Sequence, residues 1–280
     1  MPELPDVEGF RGVLRSCAQG RTVRRIEVRD AGVLHGVSAR RLREALEGRR
    51  ITRAERHGKW LLARTGGPTL ALHFGMTGSL VCAGPDDPVA PHDRVLFTLS
   101  GDRRLRYRDQ RKLQGLWLAE DAAAVARLLA GQGPDALDVD RERFDEALRG
   151  RRGAVKGVLL DQSAVAGLGN LLADEILWRA RLSPARRASD LTDADRGGLY
   201  RQMRRTLRSA VPTGRVPPRP SWLTGRRDTP DPHCPRCHAP LRRTRVAGRT
   251  TVWCPACQPA TSGARPPAPP RGGARPPRGR

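Results

Sequence analysis

The octet Met1-Pro2-Glu3-Leu4-Pro5-Asp6-Val7-Glu8 places a carboxylate beside a secondary amine once the initiator methionine is clipped, as a Met followed by a small residue normally is. An amine that attacks a sugar carbon forms a Schiff base, as lysine amines do in covalent catalysis. The same octet also reads as an ordinary helix start, because proline and acidic residues suit a first turn. Residues elsewhere in the chain must decide between the two.

A second pattern is Cys234-x2-Cys237 followed, after sixteen residues, by Cys254-x2-Cys257. Two paired thiolates at this spacing make a tetrahedral structural zinc site, closed and without a catalytic water. His233 and His238 flank the set, but four thiolates already satisfy the metal. The intervening segment carries the turn signal Ala247-Gly248, which predicts a zinc-stapled hairpin bearing Arg242, Arg243, Arg245 and Arg249. Metal bound to such a module is folding free energy, on the order of 10 kcal/mol. Cys17 and Cys82 stand apart, no disulfide framework is expected, and a reducing compartment is.

A third pattern is the run from Val155 to Trp178, in which two helical stretches flank the turn Gly167-Leu168-Gly169-Asn170. Asn170 is expected to cap the second helix. A helix amino end approached by small residues also suits a phosphate.

These residues need a scaffold. At 280 residues the length suits two modest domains, or two plus a small module. Val7, Phe10, Leu14 and Cys17 recur at helical spacing, and a short helix is expected around 41–46. Strands are predicted at 60–64, 69–74, 95–99 and 116–118, so the first half reads as a β-rich domain, a sandwich with one or two helices. From Ala122 to about Val211 the apolar spacing becomes helical, and 212–233, rich in Pro and Arg, reads as a loop or extended connection. The predicted class is α+β and multidomain: an N-terminal β-sandwich over 1–120, a helical domain over 121–225, a four-Cys finger over 226–260 and an Arg/Pro-rich tail over 261–280.

The formal charge of +23 predicts a polyanionic partner, either nucleic acid or an acidic membrane surface. No apolar run approaches the roughly 18 residues of a membrane span, and the acidic, proline-containing first residues do not read as a secretory signal. A cytoplasmic nucleic-acid partner is therefore expected. The tail, with five Arg and no acidic residue, is expected to be disordered, and about +18 of the charge remains without it. Arginine greatly outnumbers lysine, which favours phosphate forks. Aromatic residues are only 4%, too few for a base-stacking platform, so a duplex held by its phosphates fits better than a single strand.

In chain order, the Pro2-Glu3 start, Lys59 in Arg56-His57-Gly58-Lys59-Trp60-Leu61-Leu62, the Gly167–Asn170 turn and the four-Cys hairpin resemble the formamidopyrimidine-DNA glycosylase / endonuclease VIII family of base-excision repair enzymes. The resemblance spans about residues 2–258. It implies a β-sandwich, a helix–two-turn–helix domain and a zinc finger, with damaged double-stranded DNA held between them by a single chain in the bacterial cytoplasm, at the nucleoid. It further implies base excision and abasic-site lyase activity with β,δ-elimination, on a base extruded from the stack. Pro2 matches the nucleophile that attacks C1′, Glu3 the acid that protonates the sugar, and Lys59 a phosphate contact beside the lesion. Asn170 and Arg249 match the residues that grip flanking phosphates, and His92 a DNA-facing histidine. Met76 and the loop from Arg106 to Gly115 match wedges that fill the hole left by the base, with Arg111 facing the orphaned base and Leu113 in place of a usual phenylalanine. One zinc, structural, is implied at Cys234, Cys237, Cys254 and Cys257.

Two departures bear on substrate. Asp6 takes the place of a glutamate, and between Val211 and Cys234 the lesion-covering loop of the 8-oxoguanine-specific branch is missing. The competing reading is a zinc-finger lesion sensor that does not cut, and a pure binder has no need of Pro2, Glu3 and Lys59 together. A zinc-ribbon RNA-associated protein would explain the charge and the cysteines but not the amino terminus.

Overall fold

The computed structural model describes residues 1–259. The expectation of a disordered tail over 261–280 lies outside the described residues.

Helix α1 (Leu4–Ala18) starts where the Asp6 carboxylate accepts the Glu3 amide at 2.9 Å. Its apolar stripe divides between two cores. Leu4 packs among the residues of the helical half, whereas Val7, Leu14, Cys17 and Ala18 pack into the sandwich. The chain's first turn is thereby fixed at the junction of the two halves.

The sandwich follows, from β1 (Val23–Val28), β2 (Leu34–His35), helix α2 (Ala39–Leu46), β3 (Ile51–His57), β4 (Trp60–Thr65), β5 (Thr69–His73), β6 (Ser79–Ala83), β7 (Asp93–Leu99) and β8 (Arg103–Arg108) to β9 (Leu116–Ala119). One sheet has the order β1-β7-β8-β6 and the other β2-β9-β5-β4-β3, antiparallel except for the β2–β9 pair. Val95, Phe97 and Leu99 of β7 and Leu105 and Tyr107 of β8 meet Leu61, Leu70, Leu72 and Leu116 of the facing sheet in one core. Helix α3 (Ala122–Leu129) follows residue 120 but covers the outer face of the second sheet, with Val125 against Leu62, Ala71 and Ala119.

Strands β1, β2, β3, β6 and β8 were not predicted. In β8, Arg103-Arg-Leu-Arg-Tyr-Arg, three residues expected in a wedge loop (Arg106, Tyr107, Arg108) are instead strand. Leu105 and Tyr107 face the core, while Arg106 points away and is still buried. Its guanidinium donates to the carbonyls of Asp87 and Pro88 at 2.6 and 2.7 Å and faces the Asp93 carboxylate. A buried arginine satisfied by carbonyls leaves no apolar signal in the sequence.

Cys17 and Cys82 correct a second expectation. They form a disulfide between α1 and β6, with Cα atoms 5.8 Å apart. The pairing arises because α1 lies along β6 and β8 with its buried stripe inward. Sixty-five residues separate the two, so local spacing carried no sign of it.

The helical half comprises α4 (Arg141–Leu148), α5 (Val155–Leu160), α6 (Asn170–Ala180) and α7 (Asp193–Ala210), packed through Phe144, Val158, Leu172, Ile176, Leu199 and Met203. The strap that follows is less open than a loop. It makes single 3-10 turns at Val211–Thr213 and Leu223–Gly225 and buries Val216 and Trp222. The finger hairpin pairs β10 (Arg242–Val246) with β11 (Arg249–Trp253) across Ala247 and Gly248, at φ 49° and 72°. Positive φ at both central residues is the turn whose twist matches a hairpin.

One buried network ties the two halves together. Arg56 of β3 reaches Glu8 of α1 at 2.6 Å and both carboxylate oxygens of Asp135. The amide of Gly58 donates to the same carboxylate at 2.6 Å. Gly58 has φ +56°, and a Cβ there would lie 2.8 Å from the Cβ of Ala166. The β3–β4 turn therefore presses its backbone onto the turn before α6, which only glycine allows.

Candidate active site

Everything at the chemical centre is built around the amino end of α6. Gly169, not Asn170, is the cap position of that helix, and neither side chain serves as its cap. The cap is supplied from the far end of the sequence. The Glu3 carboxylate, 1% exposed, accepts the backbone N–H groups of Gly169, Leu171 and Leu172 at 3.1, 2.7 and 3.0 Å. A carboxylate suits this place because the first amides of a helix are unsatisfied and the dipole is positive there. Gly169 is required, since a Cβ would stand 2.3 Å from the Glu3 carboxyl carbon. The Leu4 backbone N–H donates a hydrogen bond to the carbonyl of Gly167 at 3.1 Å. These contacts fix Glu3 and Leu4, the two residues after Pro2, at the turn before α6.

Lys59 sits at the tip of the β3–β4 turn, close enough to Glu3 and Arg249 for both charges to act on its ammonium. Burial raises the Glu3 carboxyl above the ordinary carboxylate range, opposed by Lys59 and the helix amides. Burial lowers the Lys59 ammonium, with Arg249 adding to the effect and Glu3 opposing it. Asn170 donates its amide to the carbonyl of Thr250 at 3.0 Å, next to Arg249, which leads β11 exposed. Glu3, Lys59, Asn170 and Arg249 thus converge on one helix end. The arrangement offers a protonatable carboxyl and three donors for anions, beside a Pro2 nitrogen that becomes a free secondary amine once Met1 is clipped.

A separate cluster lies on the sandwich rim. Trp60, next to Lys59, pairs with His73 across β4–β5, and the chain leaves β5 directly into Phe74-Gly75-Met76. Met76 is 42% exposed and Leu113 is 48% exposed, rare values for large apolar side chains here. Arg111 donates to the Met76 sulfur at 3.2 Å. Asp109, 1% exposed, holds this cluster from behind. It accepts the Thr77 hydroxyl at 2.5 Å and the Arg111 amide at 3.1 Å. His92 joins through its carbonyl, which accepts the Asp109 amide at 3.0 Å, and its ring lies 3.3 Å from Arg94.

The four finger sulfurs lie within 4.8 Å of one another, with pairs at 3.5 and 3.9 Å. Thiolates bound tetrahedrally at about 2.3 Å from zinc stand about 3.8 Å apart, so the set fits one structural zinc ion. Trp178 and the amide of Arg236 donate to the Cys234 sulfur at 3.3 and 3.4 Å, which orients that ligand. The finger is docked by buried charge. Lys156, fully buried, contacts Asp174 at 2.7 Å and the Thr251 hydroxyl at 2.8 Å, and Asp174 also accepts Arg227 and the Val252 amide.

Sequence reasoning missed Arg56, Asp135, Asp109 and the Lys156–Asp174–Arg227 group. Arg56 stood in the Lys59 motif, Asp109 in the wedge loop and Lys156 and Asp174 in the 155–178 run, but Asp135 and Arg227 lay outside every pattern singled out, and none was assigned a role.

Comparison with known proteins covers nearly the whole described chain. The family model for the formamidopyrimidine-DNA glycosylase N-terminal domain matches residues 1–116, the model for its H2TH domain 130–217, and that for the zinc finger found in FPG and IleRS 233–260. A formamidopyrimidine-DNA glycosylase of Symbiobacterium thermophilum is 37% identical, with 94% of this chain and 91% of that protein covered. The structure of Lactococcus lactis Fpg in complex with abasic-site DNA superposes with a TM-score of 0.84 at 28% identity, covering 92% of this chain and 100% of that one. MutM in complex with DNA containing carbocyclic 8-oxo-G gives 0.83 at 31% identity, covering 92% and 100%.

Proposed function

The chain belongs to the formamidopyrimidine-DNA glycosylase family, which makes it a DNA glycosylase with abasic-site lyase activity; on that premise we propose that Pro2 is its nucleophile and Glu3 its acid. The observation that carries this reading is the Glu3 carboxylate, which caps α6 and so fixes the amino terminus beside Lys59, Asn170 and Arg249.

The partner is damaged double-stranded DNA, engaged by a single chain. Lys59 contacts the phosphate beside the lesion, and Asn170 and Arg249 grip the flanking phosphates. The Pro2 amine attacks C1′, the damaged base departs, and an iminium links sugar and protein. Glu3, raised by burial, donates a proton to the sugar ring oxygen as the ring opens. The iminium acidifies C2′, so elimination cleaves first on the 3′ side and then on the 5′ side. Met76 and Leu113 fill the space vacated by the extruded nucleotide, Arg111 faces the unpaired base, and His92 faces the backbone. The zinc ion held by Cys234, Cys237, Cys254 and Cys257 shapes the hairpin that presents Arg249 and takes no part in bond making.

Base preference follows from the strap over 211–223. It contains Pro212, Pro217, Pro218 and Pro220 and packs Gly214 against Gly9 of α1, where a Cβ would come within 3.1 Å. Such a strap cannot close over a base. Hydrogen bonds, not apolar fit, give large discrimination between related bases, so the reading favours rapid abasic-site cleavage, slow 8-oxoguanine excision, and ring-opened purines or oxidised pyrimidines as better base substrates. No helix among the described residues is long and apolar enough to cross a membrane. The bacterial cytoplasm, at the nucleoid, is the proposed location.

Borohydride trapping on abasic duplex tests the nucleophile: the adduct is expected at Pro2 and is expected to vanish when the amino terminus is chemically blocked. An adduct mapped to a lysine would overturn the assignment. Single-turnover rates on matched duplexes carrying an abasic site, 8-oxoguanine, a formamidopyrimidine or an oxidised thymine test the preference. Excision of 8-oxoguanine as fast as abasic-site cleavage would refute it.

A further inference from the structure

An arginine-lined hollow of about 450 Å³ lies between α6, α7, the strap and the base of the zinc finger. Its walls carry Arg179, Arg205, Arg219 and Arg236, and no acidic side chain lines it. Only Arg179 is neutralised, by Glu175 at 2.7 Å. Arg219 donates to the Ser209 hydroxyl and Arg236 to the Trp178 carbonyl, both neutral acceptors. Arg205 is exposed and makes no ion pair among the described residues. It continues along α7 as Arg201, Arg205 and Arg208, all exposed at i, i+4 and i+7. Like charges at that spacing repel, so the stripe costs the isolated chain stability and is relieved only by an anion.

The hollow is built for phosphates rather than bases. Trp178 and Trp222 line it but are 4% and 3% exposed, covered by guanidinium groups. Arg236 lies 4.3 Å from the Trp178 ring, and Arg179 and Arg219 lie 4.5 and 5.6 Å from the Trp222 ring. Stacking on tryptophan holds planar guanidinium forks in place while leaving their N–H edges outward. No aromatic face is left for a base to stack on.

The hollow is also remote from the lesion grip. Asn170 begins α6 and Trp178 lies near its other end, about 12 Å along the axis. Arg249 marks the tip of the finger hairpin, whereas Arg236 belongs to the cysteine knuckle at its base. The two basic surfaces occupy opposite ends of the same two elements.

We propose that this hollow and the α7 stripe bind the phosphate backbone of a second, undamaged DNA duplex while the first is held at the catalytic centre. The proposal rests on duplex DNA being the chain's partner. It supplies a route for the protein to pass directly between duplex segments instead of dissociating into solution.

The test uses the full chain and an Arg205→Gln/Arg219→Gln/Arg236→Gln variant, with Arg205→Gln alone as the variant least able to disturb folding. Retained zinc and an unchanged thermal midpoint certify the fold. Protein on an immobilised abasic-analogue duplex is expected to capture a labelled undamaged duplex, and its release is expected to quicken as competitor duplex is raised. In the triple variant capture should fall at least fivefold, release should lose its dependence on competitor, and the salt slope of capture should drop by about 2 to 3. Arg205→Gln alone should give a drop of about 1. Single-turnover cleavage of a short abasic duplex should be unchanged in both variants, and its absence in the parent would instead refute the catalytic reading. Capture by the triple variant at the parent level, or release independent of competitor in the parent, overturns the proposal. So does polyglutamate displacing the second duplex as effectively as DNA, since the hollow would then fit an acidic protein.

Discussion

The chemical centre and the wedge rim are both parts of one interface, yet they are held in opposite ways. At the centre the groups are held by hydrogen bonds to the scaffold: Glu3 by three helix amides, Asn170 by Thr250, and the Lys59 turn by Asp135 through Gly58, with Arg249 alone left exposed. On the rim, Met76 and Leu113 are about half exposed, and the bonds nearest them are the Arg111 side chain on the Met76 sulfur and the Asp109–Thr77–Arg111 backbone clasp behind. The difference follows from what each must do. A nucleophile gains rate from being held in one geometry, whereas a wedge must leave water and enter a base stack. Substitutions at the centre should therefore register in stability and chemistry together. Those on the rim should register in base extrusion alone.

The largest expected effect lies in the finger that carries Arg249. A Cys254→Ser substitution removes one of four thiolates whose metal is worth about 10 kcal/mol of local folding free energy. DNA binding is expected to be lost and the sandwich to keep its own melting transition. Metal analysis should find one zinc in the parent and little in the variant, and normal DNA binding by the variant would contradict the assignment.

Next comes the network behind Lys59. Asp135→Ala leaves Arg56 buried with only Glu8 for an anion. Breaking a buried pair by removing one partner costs about 3–5 kcal/mol. Urea unfolding should show a loss of that size, and abasic-site cleavage should slow because the Gly58-Lys59 turn loses its anchor. Stability unchanged within 1 kcal/mol would mean the two halves are not coupled through this carboxylate.

How legible these features were depends on where their partners lie. The four cysteines and the Pro2-Glu3 pair are contiguous patterns, so the sequence alone sufficed to pick them out. Glu3 as the cap of α6, Arg56 with Asp135, and Cys17 with Cys82 join residues 65 or more positions apart, and no local periodicity encodes such meetings. Asn170 was expected to cap because its type suits the role, but a carboxylate from the first turn occupies that place. Strand β8 was hidden because three of its six residues alternate as buried or partly buried arginine, and burial of charge contradicts the pattern by which strands are recognised.

His73 lies between the two regions, at the end of β5, and titrates accordingly. Burial, with Lys59 adding, lowers its imidazole from the ordinary value to about 4, so the folded protein holds it neutral. The neutral ring accepts the Gly75 amide on Nδ1 at 3.2 Å, at the base of the Met76 loop. The unfolded chain takes up a proton near pH 6.5 and the folded chain does not until about 4. Stability should therefore decline as pH falls through that window, by about 3 kcal/mol in all. His73→Asn should flatten this part of the profile. Parallel profiles for parent and variant would show that other groups account for the acid sensitivity.

The smallest effect on stability, and the sharpest separation of centre from rim, is expected at Met76 and Leu113. Each side chain is about half exposed, so truncation to alanine removes little buried area and should change unfolding free energy by less than about 0.5 kcal/mol. Base extrusion is different, because the wedge offsets an unstacking cost of a few kcal/mol per step. Met76→Ala should slow single-turnover excision of a damaged base about tenfold, and Leu113→Ala by less. An abasic site has no base to extrude, so its cleavage should scarcely respond. The ratio of the two rates therefore reads the wedge alone, free of any change in Pro2 or Glu3. Equal slowing on both substrates would place Met76 in the chemistry, and no slowing on either would leave its exposure without a role in extrusion.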